Sequence, residues 1–174
     1  MEWQDDLKCT PLHLACKRGS LAAVMLLLQS GANIYAQDHR QWTPLHYAAY
    51  NGHPKVCNAL LKWEADNDVL REVRSTQNKL AFNLCKSDTC KKAFDHVWRA
   101  CKLGNLDLVR VLIREGQDVN EQTQMLKNTP LHIAAKHGYL LIVKFLVDNG
   151  ALVNFANANG LSAYELAHQS IEIV

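Results

Sequence analysis

The 174-residue chain reads as an all-α repeat solenoid, a stack of helix-turn-helix units joined by hairpin fingers, and three observations predict it. Thr10-Pro11-Leu12-His13-Leu14-Ala15 returns 33 residues later as Thr43-Pro44-Leu45-His46-Tyr47-Ala48, and again as Thr129-Pro130-Leu131-His132-Ile133-Ala134. After each copy a glycine (Gly19, Gly52, Gly138) separates one apolar run from a second. A polar stretch then returns to the next Thr-Pro. A unit of this kind cannot bury its apolar face alone, so it stacks on its neighbours.

Each element has a local cause. Thr10 can cap a first helix through its hydroxyl while Pro11 takes the first helical position, where a missing N–H costs nothing. Leu12, Ala15 and Cys16 then share one face at helical spacing. Gly31, Gly116 and Gly150 stand where the second helix ends and the backbone needs a left-handed residue, and the Asn and Asp that follow suit the turn into a finger. A fourth copy begins at His96-Val97-Trp98-Arg99-Ala100-Cys101, aligned with Pro11 onward but lacking its Thr-Pro. The expected units are 10–42, 43–78, a truncated 79–94, 95–128, 129–161 and a partial 162–174, within a single domain over 1–174.

The period and the Thr-Pro-Leu-His-x-Ala signature resemble the ankyrin repeat, over almost the whole chain. The resemblance implies that His13, His46 and His132 tie neighbouring loops together by hydrogen bonds rather than acting chemically. It also implies a non-catalytic scaffold that recognises protein partners along a concave surface of fingers and first helices. Many such repeats are hydroxylated on asparagine, and Leu112 with Asp118-Val119-Asn120 fits that pattern, which makes Asn120 the candidate modification site. Leu146 with Leu152-Val153-Asn154 fits less well because the acid is missing.

The pattern fails in the middle. Glu64 replaces the helix-ending glycine, and the finger over 65–78 is about four residues longer than its counterpart. It reads either as a tolerated surface insertion or as a recognition loop. Residues 79–85 resemble the first helix of a degenerate repeat with Phe82 in the place of Leu12. Only 15 residues separate Phe82 from Val97, so this third unit is truncated. Either residues 87–94 form an abbreviated second helix in a continuous, kinked stack, or two sub-stacks meet at a hinge between 64 and 95. The kinked stack is the reading adopted.

Composition excludes several classes. No apolar run approaches the roughly 18 residues that span a bilayer, and the acidic, polar start at residues 1–6 is unlike a signal peptide. A cytoplasmic or nuclear protein is expected, with no membrane insertion. A net charge of +2 is too weak to argue for nucleic acid. There is no Gly-rich phosphate loop before a helix, no Gly-x-Ser-x-Gly and no His-Glu-x-x-His, so no enzyme and no cofactor are expected. Six cysteines are read as free thiols in a reducing compartment. Cys85, Cys90, His96 and Cys101 have the residue types of a zinc site but looser spacing than the usual pairs two residues apart, and no metal is assigned to them.

The slots that the repeat leaves free are the residue after the histidine and the two before the inner glycine turn. They read Leu14, Lys17 and Arg18; Tyr47, Tyr50 and Asn51; Arg99, Lys102 and Leu103; Ile133, Lys136 and His137. Five of the twelve are basic and none is acidic. His39, Arg40 and Trp42 belong to a finger, and Trp42 should converge with Tyr47 and Tyr50. The expected partner is an acidic or phosphorylated protein segment held by Lys17, Arg18, His39, Arg40, Trp42, Tyr47, Tyr50, Arg99, Lys102, Lys136 and His137. Trp63 is expected to lie exposed on the opposite side. The apolar second run Leu21 to Leu28 resembles an internal repeat more than a cap, and the stretch Gln169 to Val174 stops short of a second helix. The alternatives are therefore a regulatory region cut from a larger enzyme or channel, or self-association at the N-terminal end.

Overall fold

The computed structural model describes residues 4–65 and 69–171, with the side chains of 4–65 and 69–169. The chain divides into two compact units, Met1–Phe94 and Asp95–Val174. Residues 1–3, 66–68 and 172–174 lie outside the described residues, and with them part of the polar start, of the long finger and of the closing half-unit.

The first unit contains α1 (Pro11–Arg18), α2 (Leu21–Gln29), α3 (Pro44–Tyr50), α4 (Pro54–Trp63) and the short α5 (Asp88–Lys92), with 3₁₀ turns at Leu70–Glu72 and Ala81–Leu84. The second contains α6 (Val97–Lys102), α7 (Leu106–Arg114), α8 (Pro130–Lys136), α9 (Leu140–Asp148) and α10 (Ala163–Ile171). Among the described residues the only extended pairing is an isolated bridge, Arg74 to Leu80, in a finger. First helices pack on first helices, α1 on α3 and α6 on α8 on α10, while second helices form the other layer, α2 on α4 and α7 on α9.

The repeated core follows the repeated residues. Leu12, His13, Ala15 and Cys16 are buried in α1, and Val97, Trp98, Ala100 and Cys101 occupy the same phase in α6. Each fully buried leucine contributes about 1.5–3 kcal/mol relative to exposure. The alanines let the first helices approach. Gly19 and Gly104 serve a related end, because a Cβ at Gly19 would meet the His53 ring at 2.5 Å and one at Gly104 the Tyr139 ring at 2.9 Å. The aromatic residue after one inner turn thus lies flat on the glycine of the preceding repeat.

Fingers are held by a recurring short acceptor. The Asp38 carboxylate accepts from the N–H groups of Arg40 and Trp42, both at 2.8 Å, and Asn157 Oδ1 accepts from Asn159 and Leu161. Asp5 and Ser75 do the same in their fingers. These side chains replace backbone partners that a tight loop cannot supply. Adjacent fingers then join through Thr76 N–H to Arg40 O and Ala158 N–H to Leu126 O.

The stretch from α4 to the truncated unit corrects two expectations. Phe82 is 42% exposed, whereas Ala81 beside it is fully buried, so the buried position has moved one residue earlier and the large side chain has turned outward onto Phe94. A 3₁₀ turn has three residues per turn rather than 3.6, which rotates its side chains away from the α-helical register. The long finger is anchored in its described part, because Leu70 and Arg71 are buried and Arg71 donates to the Phe94 carbonyl, while Glu72, Arg74 and residues 76–78 remain exposed. Glu64, with φ −104° where Gly31 has +82°, skips the left-handed exit. Its carboxylate instead accepts from the N–H groups of Val69 (2.8 Å) and Leu70 (3.2 Å), capping the 3₁₀ turn. Trp63 is half-buried and packs against the hydrophobic core rather than standing exposed. The abbreviated second helix is α5, capped by Ser87 Oγ on Cys90 N–H.

Candidate interaction surface

The Thr-Pro-Leu-His segment is a structural lock. His13 Nδ1 accepts from the N–H of Thr10 (3.0 Å) and lies 2.9 Å from its hydroxyl, while Nε2 lies 3.0 Å from the Trp42 carbonyl. A carbonyl can only accept, so the proton sits on Nε2 and the ring is neutral. His46 makes the same contacts with Thr43 and the Lys79 carbonyl, and His132 with Thr129 and the Leu161 carbonyl. Burial pushes the His46 and His132 imidazoles below their ordinary value. In the fourth unit, where Thr-Pro is missing, Gln117 substitutes: it accepts from Val97 N–H and donates to the Asp95 carbonyl, both at 2.9 Å.

In the first unit Trp42 meets Tyr47 edge-on at 5.3 Å and Tyr50 at 5.4 Å, and lies over His46 at 6.1 Å. The three rings named from the sequence are therefore together. Tyr50 is exposed, and Lys86 Nζ sits 4.2 Å above its ring. Trp42 and Tyr47 are half-buried. The Tyr47 hydroxyl donates to Asp38 Oδ2 at 2.8 Å, and burial, then hydrogen bonds to Cys9 and Asp38, push its ionisation up. Tyr47 is thus committed to the finger by its polar end and offers only part of its ring. Lys17, Arg18, His39 and Arg40 are all exposed.

In the second unit Lys136 and His137 are exposed, and Arg99 and Lys102 half-buried. Burial first, then the positive charges of Lys136 and Lys102, hold the His137 imidazole below its ordinary value, which places these three groups within one another's field. His137 stacks on Tyr139 at 5.9 Å. Ile133, expected in a slot the repeat leaves free, is buried instead. Asn120 is half-buried, donating to the Gly150 carbonyl at 3.1 Å and accepting from Leu152 N–H at 2.9 Å, so it stitches two fingers together.

The repeated buried lock and the alternating layers decide the family. A family model of ankyrin repeats, in three copies, matches residues 1–71 and 97–174. The chain belongs to the ankyrin-repeat family. Ankyrin repeats are protein-interaction modules, generally without catalytic chemistry of their own. The chain is 33% identical to mouse rabankyrin-5 over 167 residues, covering 83% of itself and 14% of that protein. It is 26% identical to human transient receptor potential cation channel subfamily A member 1, covering 86% of itself and 15% of the channel. It is 27% identical to a glycerophosphocholine phosphodiesterase, GDE1, of Eremothecium gossypii, covering 90% of itself and 14% of that protein. The chain thus spans about one seventh of the length of these relatives.

Among the described residues no helix is long and apolar enough to cross a membrane. All six cysteines are free and buried, and no group of three or more His, Cys, Asp or Glu side chains is arranged to hold a metal ion among the described residues. Sequence reasoning missed Lys86, Asp38 and Gln117. Lys86 falls in the degenerate unit, where no repeat register points to it, whereas the Asp38-x-x-x-Trp42 finger spacing was available to be read.

Proposed function

We propose that this ankyrin-repeat protein is a non-catalytic adaptor that holds an acidic or phosphorylated partner segment against the Trp42–Tyr50 face of the first unit. The observation that carries this reading is the contact of Trp42 with Tyr50, one ring half-buried and the other exposed, with Lys86 over the Tyr50 face and Lys17, Arg18, His39 and Arg40 exposed in the same unit. Fixed aromatic rings supply contact area at low conformational cost and are enriched at interface hot spots. Cations around them favour a negative partner and speed its capture. Arg99, Lys102 and Lys136 form a second basic set, beside His137, within the second unit. Solubility alone would mix the signs of charge in these slots.

Crosslinking in cell lysate tests the proposal. Trp42→Ala combined with Lys17→Glu should reduce the captured partners while leaving the thermal unfolding midpoint above the working temperature. An unchanged partner set removes this face from the function.

A second reading is favoured by the short coverage of the relatives, which include a channel and a phosphodiesterase. On it, the repeats are the regulatory region of a larger protein whose chemistry lies outside this chain. Sequencing the transcript across both ends of the present reading frame separates the two.

A further inference from the structure

The first unit gathers thiols that the interaction surface does not use. Cys85 ends the 3₁₀ turn Ala81–Leu84, and Cys90 lies in α5, three residues after its capping Ser87. Their sulfurs are 2.9 Å apart. Cys90 also points toward the Ala49 carbonyl at 3.7 Å and lies within the field of the Cys57 thiol. Cys57 and Cys90 are fully buried, whereas Cys85 retains 7% exposure and is the outermost of the three.

We propose that Cys85 and Cys90 form a reversible dithiol–disulfide site for small-molecule disulfides, with Cys85 the attacking sulfur and Cys90 the resolving one. Deprotonated Cys85 attacks one sulfur of the small disulfide, forming a mixed disulfide and expelling one thiolate. Deprotonated Cys90 then attacks the Cys85 sulfur, forming the Cys85–Cys90 bond and expelling the second thiolate. Two protons leave the protein, two electrons pass to the small disulfide, and it departs as two thiols. The geometry asks little, because closing from 2.9 Å to a bond of about 2.05 Å moves the sulfurs by less than the width of an atom. The loop that closes, residues 85–90, is short, and both ends sit on ordered elements.

Burial first, and the hydrogen bond to Cys90 second, push the Cys85 thiol up to about 12. The thiolate fraction is therefore small near neutrality and the first step is slow, with a rate that climbs with pH as the thiolate does. Lys86 lies next to Cys85 and covers Tyr50, so the bond would fix the segment that presents this lysine.

Disulfide mapping after incubation of the full chain with mixtures of reduced and oxidised glutathione tests this. Two of the six thiols should be lost, with one crosslinked peptide pair joining Cys85 to Cys90 and full recovery on reduction. The rate should rise about tenfold per pH unit between about pH 7 and 9. Cys57→Ser should keep the bond, and Cys90→Ser should stop at a glutathione adduct on Cys85. If Cys90→Ser fails to fold, the wild-type map and Cys57→Ser decide. A crosslink to Cys57, a persistent wild-type adduct on Cys85, or six intact thiols in a mostly oxidised glutathione mixture overturns the proposal.

Discussion

The hydroxyl of Tyr47 donates to the buried carboxylate of Asp38 at 2.8 Å, across the base of the finger whose tip Asp38 organises. Asp38 already accepts from Arg40 and Trp42 N–H groups through its other oxygen, so one carboxylate sets the finger, its tryptophan and the adjoining first helix. Tyr47→Phe removes a hydrogen bond to a charged group while keeping the ring. It should cost about 1.5–3 kcal/mol in urea unfolding, with partner capture retained at temperatures where the variant is folded. Loss of capture by the folded variant would move Tyr47 from scaffold to binding surface.

The histidine locks carry a similar load. Removing His46 leaves the buried Thr43 N–H without its side-chain acceptor and takes one of two donors from the Lys79 carbonyl, which keeps the Ser75 N–H. His46→Ala should destabilise the protein by about 1–3 kcal/mol for the unsatisfied N–H, with a further contribution from the cavity. Chemical denaturation measures it, and an effect near zero would mean that the fingers hold their register without the lock.

Because the folded state holds His46 and His132 below the ordinary value of 6.5, it binds fewer protons than the unfolded chain as the pH falls past that value. Stability contributed by the neutral rings is complete above about pH 6.5 and is lost as the pH falls toward the depressed folded values. Unfolding free energy should therefore decline between about pH 6.5 and 5. A His46→Asn, His132→Asn double variant should show a flatter slope there, and an unchanged slope would assign the decline to other groups.

The repeats were legible because one short motif puts a cap, a proline, a core leucine and a locking histidine at fixed phase, and three copies stand in register. The convergence of Trp42, Tyr47 and Tyr50 was readable for the same reason, since fixed register gives fixed neighbours. Glu64 and Gln117 were not legible. Each acts on backbone groups reached only after an irregular path, Glu64 on Val69 and Leu70 and Gln117 on Asp95 and Val97, and no residue type announces such a partner. Asn83 is intermediate: its Oδ1 accepts from Leu80 N–H at 3.1 Å, standing in for the histidine nitrogen without resembling it in sequence.

The burial of Leu70 against the exposure of Phe82 gives the sharpest test of the truncated unit. Leu70 is fully buried in the core cluster of the first unit, although it lies in the long finger. Phe82, which reads as core, is 42% exposed and touches Phe94 edge-on at 5.5 Å. Leu70→Ala should cost about 2–5 kcal/mol through lost burial and a residual cavity. Phe82→Ala removes mainly one aromatic pair and part of its area, and should cost distinctly less, on the order of 1 kcal/mol. Paired urea titrations decide the order. The reverse order would return Phe82 to the core and take Leu70 out of it.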